Sequence, residues 1–341
     1  MRTTLRTFVI LTLLISWPLL LSAQTSGGRI LGNAQDSSGG VLPGVTIVVR
    51  NVATGIARET VSNERGQYEV AALQPGQYQV EAELTGFRRY VRGPITVQVN
   101  QDTRIDAMLQ VGELSETILV AAEGITVQTT TSSLGKVVEE KQILELPLSG
   151  RNFTSLGLLT PGVTTRGQST TDASYVVHGQ RQDSNNFQLD GVANVSLGGN
   201  SVQARPNVDA VQEFKIQTSN FSSEFGRNSG SVVQVVTKSG TNTPRGSVWE
   251  FHRNDSFQTP NFFATSDPPP LKQNQYGGTF GGPLTMPGLY SGRNRTFVFG
   301  SFEGFRLTRG LTRQTTVATA QERAGDFSFL SRAILDPLTG Q

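Results

Sequence analysis

Runs in which apolar and polar residues alternate recur from Arg29 onward, at Arg29 to Ala34, Val45 to Arg50, Ala57 to Val61, Gln67 to Val70, Tyr78 to Leu84, Ile95 to Val99 and Arg104 to Leu109. A period of two sends successive side chains to opposite faces, so these runs predict short strands with one buried face. Gly, Pro and Asn punctuate them, most clearly at Pro43-Gly44 and Pro75-Gly76, where Pro presets φ near −65° and Gly accepts a positive φ. Seven strands in about eighty residues predict a small β-sandwich over residues 28–110. Beyond residue 124 the pattern changes. Lys136 to Leu146 carries Val137, Val138, Ile143 and Leu144 and stops at Pro147, which predicts a short helix. Asn152 to Leu159, ended by Pro161-Gly162, predicts a second. Tyr175 to Val177 and Asn186 to Val192 predict a strand, a turn and a strand, and Ser231 to Thr237 is a nearly unbroken apolar run of the kind buried on both faces.

A third pattern opens at Gly246. There Val248, Glu250 and His252 alternate with Trp249, Phe251 and Arg253, so an aromatic face opposes a more polar one. A transmembrane β-strand needs such a division, with aromatics toward lipid and polar groups toward the lumen. Gln275 to Gly282 and Arg295 to Arg306 are further aromatic-rich candidates, with Asp267 to Pro270 and Pro287 to Asn294 as loops. A spanning strand takes about 9–11 residues and a closed barrel at least about eight strands, so the 96 residues after Arg245 supply only a beginning. The expectation is an N-terminal fragment of a longer protein.

The N-terminus adds a destination. Arg2 and Arg6 precede an uncharged apolar run from Phe8 to Leu21, and Ser22-Ala23 follows, the layout of a secretory signal peptide over residues 1–23. Removing it leaves 27 basic against 27 acidic residues, a neutral mature chain with no electrostatic case for nucleic acid. The absence of cysteine removes disulfides, thiolate metal sites and thiol nucleophiles together. The two histidines, His178 and His252, lie far apart with no HExxH spacing, so no metal and no cofactor is expected. Ser133-Leu-Gly-Lys136 matches a Ser-x-x-Lys pattern without its partner motifs, and neither Gly-x-Ser-x-Gly nor a phosphate-binding loop occurs. No catalytic residues are assigned.

Thr60-Val-Ser-Asn63-Glu-Arg-Gly66-Gln-Tyr68, then Leu73-Gln-Pro75-Gly76-Gln-Tyr78-Gln-Val80 and Gly86-Phe87, resembles the carboxypeptidase regulatory-like domain. The resemblance implies a transthyretin/prealbumin-like (carbohydrate-binding-like) β-sandwich without catalysis. Tyr68, Tyr78 and Phe87 have two readings, a sugar-stacking platform or core aromatics, and their period with Val70, Val80 and Leu84 favours core. After the sandwich comes Glu116-Thr117-Ile118-Leu119-Val120, an acidic residue, a Thr and three aliphatics within a flanking segment, residues 111–123. Such a segment can be captured by adding one strand to another protein's open sheet edge; it can equally be the last strand of the sandwich followed by a linker. It resembles a TonB box, the motif by which TonB-dependent receptors engage TonB.

Leu146-Pro-Leu-Ser-Gly-Arg-Asn152 and Leu158-Leu-Thr-Pro-Gly-Val163 resemble the Oar-like branch of TonB-dependent outer-membrane receptors, whose members also carry a regulatory-like sandwich in front. Gly179, Arg181, Asp190 and Gly191 fall on the family's Arg-Gly-x-Arg and Asp-Gly positions, with His178 standing where many members have Arg. Gly226, Gly230, Val232 to Val236 and Thr237-Lys238 resemble the family's passage from plug to barrel. The resemblance implies a mainly β chain: the sandwich, an α+β plug domain over residues 124–240, and the first strands of a transmembrane β-barrel over residues 245–341. It implies TonB and its inner-membrane energising complex as partners, outer-membrane lipid around the barrel, and an extracellular substrate that could be a glycan, a siderophore or a peptide. It further implies a periplasmic sandwich and breakable charge pairing between plug and barrel, for which Arg181, Glu213 and Glu224 are the candidates; ordinary solvated charge is the other reading. The competing function is an exported β-rich adhesin that binds glycans through the sandwich.

Overall fold

The computed structural model describes residues 27–112, 117–121, 133–165, 175–196, 202–226, 228–260, 262, 269–310, 315–330 and 338–339. The expected signal peptide, Glu116 and the first residues of the expected plug lie outside them. The chain divides into two compact units, Met1–Trp249 with Gly277–Glu303, and Glu250–Tyr276 with Gly304–Gln341.

The first module is a sandwich of two sheets. Strands β1 (Gly28–Asp36), β4 (Gln67–Leu73), β7 (Asp102–Arg104) and β8 (Ala107–Leu109) form one, with β1 antiparallel to β4 and parallel to both β7 and β8. The other runs β3-β2-β5-β6-β9, from β2 (Thr46–Asn51), β3 (Ala57–Val61), β5 (Gly76–Glu83), β6 (Arg89–Val97) and β9 (Thr117–Ala121). Alternate residues of both sheets fill the core between them: Ile30, Ile47, Val49, Val70, Val80, Ile95 and Leu109 are buried, as period-two patterning predicts. The seventh predicted run is broken in two because a side chain enters the ladder. Ile105 N donates to Leu31 O at 2.8 Å, but Asn33 N is then taken by the Asp106 carboxylate at 2.9 Å, after which main-chain pairing resumes at β8.

Tyr68 and Tyr78 are core residues, 5% and 4% exposed, and each hydroxyl is spent on a carbonyl, Tyr68 on Ile105 O and Tyr78 on Gln74 O. Phe87 packs half-buried against the same core. Buried to this degree, Tyr68 and Tyr78 offer no ring face to a sugar, so these two do not form a glycan platform. Gly32 is the tightest point of the module, since a Cβ there would lie 1.8 Å from Ile105 O. Gly32→Ala is expected to destabilise the sandwich by about 3 kcal/mol, because main chain cannot give way as a flexible side chain can; a urea titration followed by near-ultraviolet circular dichroism measures it.

The second module is a five-stranded sheet in the order β10-β15-β16-β13-β14. Its strands are β10 (Leu134–Glu139), β13 (Asn185–Leu189), β14 (Val192–Ala193), β15 (Val211–Ser219) and β16 (Ser231–Thr237), with β13 parallel to β16 and the other pairs antiparallel. A hairpin of β11 (Val163–Thr165) and β12 (Tyr175–Val177) stands apart from it. The helix expected over Lys136 to Leu146 is corrected by the structure: β10 occupies its first part, and only Glu140–Glu145 is helical (α1). Val137 and Val138 are β-branched and pair with Lys215 and Phe214, and Val138 is fully buried. Phe153–Leu159 is a 3₁₀ helix, capped by the Asn152 side chain, which accepts from Thr154 N. Phe153, Leu156, Val138, Ile143, Phe214, Ile216 and Val233 form the core.

Three longer strands follow in one sheet, β17 (Arg245–Asn254), β18 (Leu271–Pro283) and β21 (Phe297–Arg309), in the order β17-β18-β21, with a small hairpin of β19 (Thr285–Met286) and β20 (Tyr290–Ser291) between the last two in sequence. Trp249 is half-buried, while Val248 and Phe251 are exposed, Val248 to 90%. The Trp249 ring lies across Gly277, where a Cβ would come within 2.6 Å of it; in the other unit the Tyr276 ring lies in the same way across Gly304. Glycine at these places lets an aromatic cover the neighbouring strand.

Candidate functional site

The segment Thr117–Ala121 is folded as β9, the edge strand of the sandwich. It runs parallel to β6 in the register Arg89↔Thr117, Tyr90↔Ile118, Val91↔Leu119, Arg92↔Val120 and Gly93↔Ala121. For Thr117–Val120 the structure bears out the second reading of the pentapeptide, the last strand of the sandwich. It is also an extended edge strand of the kind a partner sheet can extend.

The three expected latch residues are not brought together. Arg181 is exposed at the entry to a short 3₁₀ turn, and Glu224 is exposed within another, Ser223–Phe225. Glu213 is buried in β15, where its carboxylate accepts from Val99 N of the sandwich at 3.0 Å. Burial pushes its carboxyl up to about 7, against the opposing pull of the Val99 N–H and the Lys215 ammonium.

The glycines and the lysine of the plug-like pattern have structural work. His178 and Gly179 both take positive φ, 48° and 76°, in the turn that leaves β12. Asp190 and Gly191, at φ 50° and 83°, make the two-residue turn from β13 to β14, the conformation that Asp-Gly is suited to. The Asp190 carboxylate also reaches Thr237, accepting from its N–H at 2.8 Å and from its hydroxyl at 2.9 Å. Gly230 lies against Ser184 O and Asn185 Oδ1, each 2.8 Å from where a Cβ would stand, and Gly226 caps the 3₁₀ turn before it. Lys238 closes the segment, with its ammonium 2.8 Å from Glu140 of α1 and its N–H on Ala210 O. The end of β16 is thereby tied to three elements just before β17 begins.

One buried charge pair went unnoticed in the sequence. Arg151 pairs with Asp209, each side chain 13% exposed, and the guanidinium carbon sits 5.8 Å from the ring centre of Trp249 on β17. The Arg151 backbone is left-handed at φ 49°, directly after Gly150 at φ 69°. Only the dipeptide Gly-Arg within Leu146 to Asn152 hinted at it, and nothing in that string named Asp209, 58 residues on. A planar cation packed on an aromatic face and hydrogen-bonded to a carboxylate is a specific contact between the central module and β17.

Two family descriptions match this chain: a carboxypeptidase regulatory-like domain over residues 29–110, and an outer membrane beta barrel domain over residues 236–341. The TonB-dependent transporter Oar of Myxococcus xanthus is 26% identical over 218 residues, 61% of this chain. The chain is a homologue of a TonB-dependent transporter. It spans 20% of that relative's length. Among solved structures, the siderophore receptor PirA from Acinetobacter baumannii aligns at 20% identity with a TM-score of 0.35, over 50% of this chain and 24% of its own. The outer membrane transporter YddB from Escherichia coli aligns at 18% identity with a TM-score of 0.37, over 44% and 24%. A mainly β chain, with a regulatory-like sandwich in front and outer membrane barrel sequence behind, accords with the homology.

Proposed function

We propose that this protein is a TonB-dependent outer-membrane transporter that takes up a substrate actively, with residues 124–240 as its plug. The observation that carries this reading is the order of its parts: a regulatory-like domain ending in an edge strand, a glycine-punctuated five-stranded sheet, then barrel sequence, in homology to a TonB-dependent transporter. Residues 116–120 engage TonB in the periplasm, where the sandwich also resides. TonB supplies force from the inner-membrane complex, and that force remodels the plug and opens a path past it. No bond of the substrate is broken. Arg151, Asp209 and Trp249 take over the plug-to-barrel role first expected of Arg181, Glu213 and Glu224, because a buried, stacked ion pair fixes registry and can still be parted. Substrate class stays at siderophore, glycan or peptide.

Membrane fractionation of the bacterium that makes the full-length protein tests the reading. A band in the outer-membrane fraction whose mobility shifts on heating, and whose crosslinking to TonB is lost when the proton-motive force is collapsed, is the expected result. Release of the protein into the medium would instead make it the adhesin.

A further inference from the structure

Strand β15 reads Val211-Gln212-Glu213-Phe214-Lys215-Ile216-Gln217. Phe214 and Ile216 enter the core of the central module, so the alternate positions belong to the other face, which the pattern alone would leave to water. Yet Glu213 and Lys215 are 5% and 4% exposed. The sandwich covers them. The Lys215 ammonium donates to Val99 O at 2.9 Å and to Asn100 O at 2.7 Å, while the Glu213 carboxylate accepts from Val99 N. Asn100 is left-handed at φ 45°, and two successive carbonyls converge on the one ammonium. Around this centre, Gln212 donates to Pro75 O at 2.8 Å and Gln98 donates to Glu139 at 3.2 Å.

We infer that Glu213 and Lys215 form a clasp that fixes the sandwich on the central sheet by gripping the main chain of the Val99–Asn100 turn, so that the two modules move as one body. A lone buried ammonium or carboxylate is strongly unfavourable, and here each is matched by main-chain groups of the other module that would be unpaired without it. Contacts to main chain depend on the shape of the turn rather than its side chains. Both modules accordingly fall in a single compact unit.

The joint responds to pH in two directions. The groups facing the clasp are Glu139 of β10, Asp102 of β7 and the two clasp residues themselves. Burial pushes Glu213 up to about 7, so its contribution to docking is fully present below its ordinary value of 4.5 and is lost as pH rises through about 7. Burial pushes Lys215 down to about 8, so its contribution is present above its ordinary value of 10.5 and is lost as pH falls through about 8. Docking is therefore weakest between the two and firmer on either side. Because β9 belongs to the sandwich sheet, a pull on β9 also reaches the central module across this clasp; that consequence rests on the transport reading, whereas the docking does not.

The chain has no cysteine, so labels can be placed at will. Ser37→Cys in the sandwich and Gln203→Cys in the central module, both exposed, take spin labels for distance measurement in the whole chain without TonB. The expected result is one narrow distance distribution in the parent. Lys215→Glu should spread it so that less than about half the population keeps the docked distance, while Glu213→Gln, which keeps the acceptor, stays narrow and loses the softening between about pH 5 and about pH 7.5. Val99→Pro removes the donor from the sandwich side and leaves the central module's sequence intact, and it should spread the distribution as Lys215→Glu does. Near-ultraviolet circular dichroism reports whether each variant keeps its cores. A broad distribution in the parent, or a narrow one in folded Lys215→Glu or folded Val99→Pro, overturns the clasp. In a separate binding measurement, a parent chain that docks its modules but does not bind TonB would count against the transport reading alone.

Discussion

Proline introduced singly at Ile118 and at Leu119 should weaken TonB engagement at least about tenfold in one variant and less in the other. Successive residues of a strand send their N–H groups to opposite edges, and proline lacks that donor. In β9 one edge is already paired to β6, so one proline strikes the sandwich side and the other the edge still open. If TonB adds a strand to that open edge, the variant that loses the outward donor should bind the purified periplasmic domain of TonB at least about tenfold more weakly, a change of ~1.4 kcal/mol, with the sandwich still folded. The other variant should loosen β9 from β6 and soften the sandwich. Equal binding by both prolines and the parent would remove residues 117–120 from the coupling role. The measurement is made on the whole chain, with the melting of the sandwich followed in parallel.

The sandwich was legible because its physics is local. Strict alternation from Ile30, Ile47 and Val80, together with turns such as Pro43-Gly44, where Gly44 sits at φ 76°, leaves few ways to bury one face. Legibility failed where a long-range partner decides. Val137 and Val138 fit a short helix by spacing, but their pairing with β15, some 77 residues away, draws them into a strand. Glu213 and Lys215 look like a solvated face, since nothing in their neighbourhood announces that a turn more than a hundred residues earlier will cover them. Trp249 carries no local sign of its partners either: the cation held by Asp209 and the glycine at 277 that its ring covers are both distant in sequence. Polar patterning thus revealed the strands of the sandwich and their period, while it misread β10 as helix and left to water the face of β15 that the sandwich covers.

That distinction bears on how the central module is held together. Its sheet has an apolar layer beneath β15 and a polar, buried layer above it, and the two fail differently when cut. Parting the clasp should separate modules that each stay folded, whereas the apolar layer carries the fold of the central module itself. Phe214 is its largest fully buried side chain alongside Phe153; the two rings sit tilted, with centres 6.4 Å apart, and Phe214 pairs across the sheet with Val138 and Val235. Phe214→Ala removes a whole ring from the middle of a close-packed layer flanked by paired strands that cannot close in, and it is expected to destabilise the module by about 3–5 kcal/mol. A urea titration should show this transition moving to lower concentration while the sandwich, whose core is separate, unfolds where it did before. In the full-length protein the same substitution gives a second readout. If residues 124–240 occlude a barrel, loosening them should admit bulky antibiotics that the outer membrane otherwise excludes, without any need for TonB. Folded full-length protein that carries Phe214→Ala and remains tight to such compounds, despite the measured loss of stability, would mean that the module does not close a lumen.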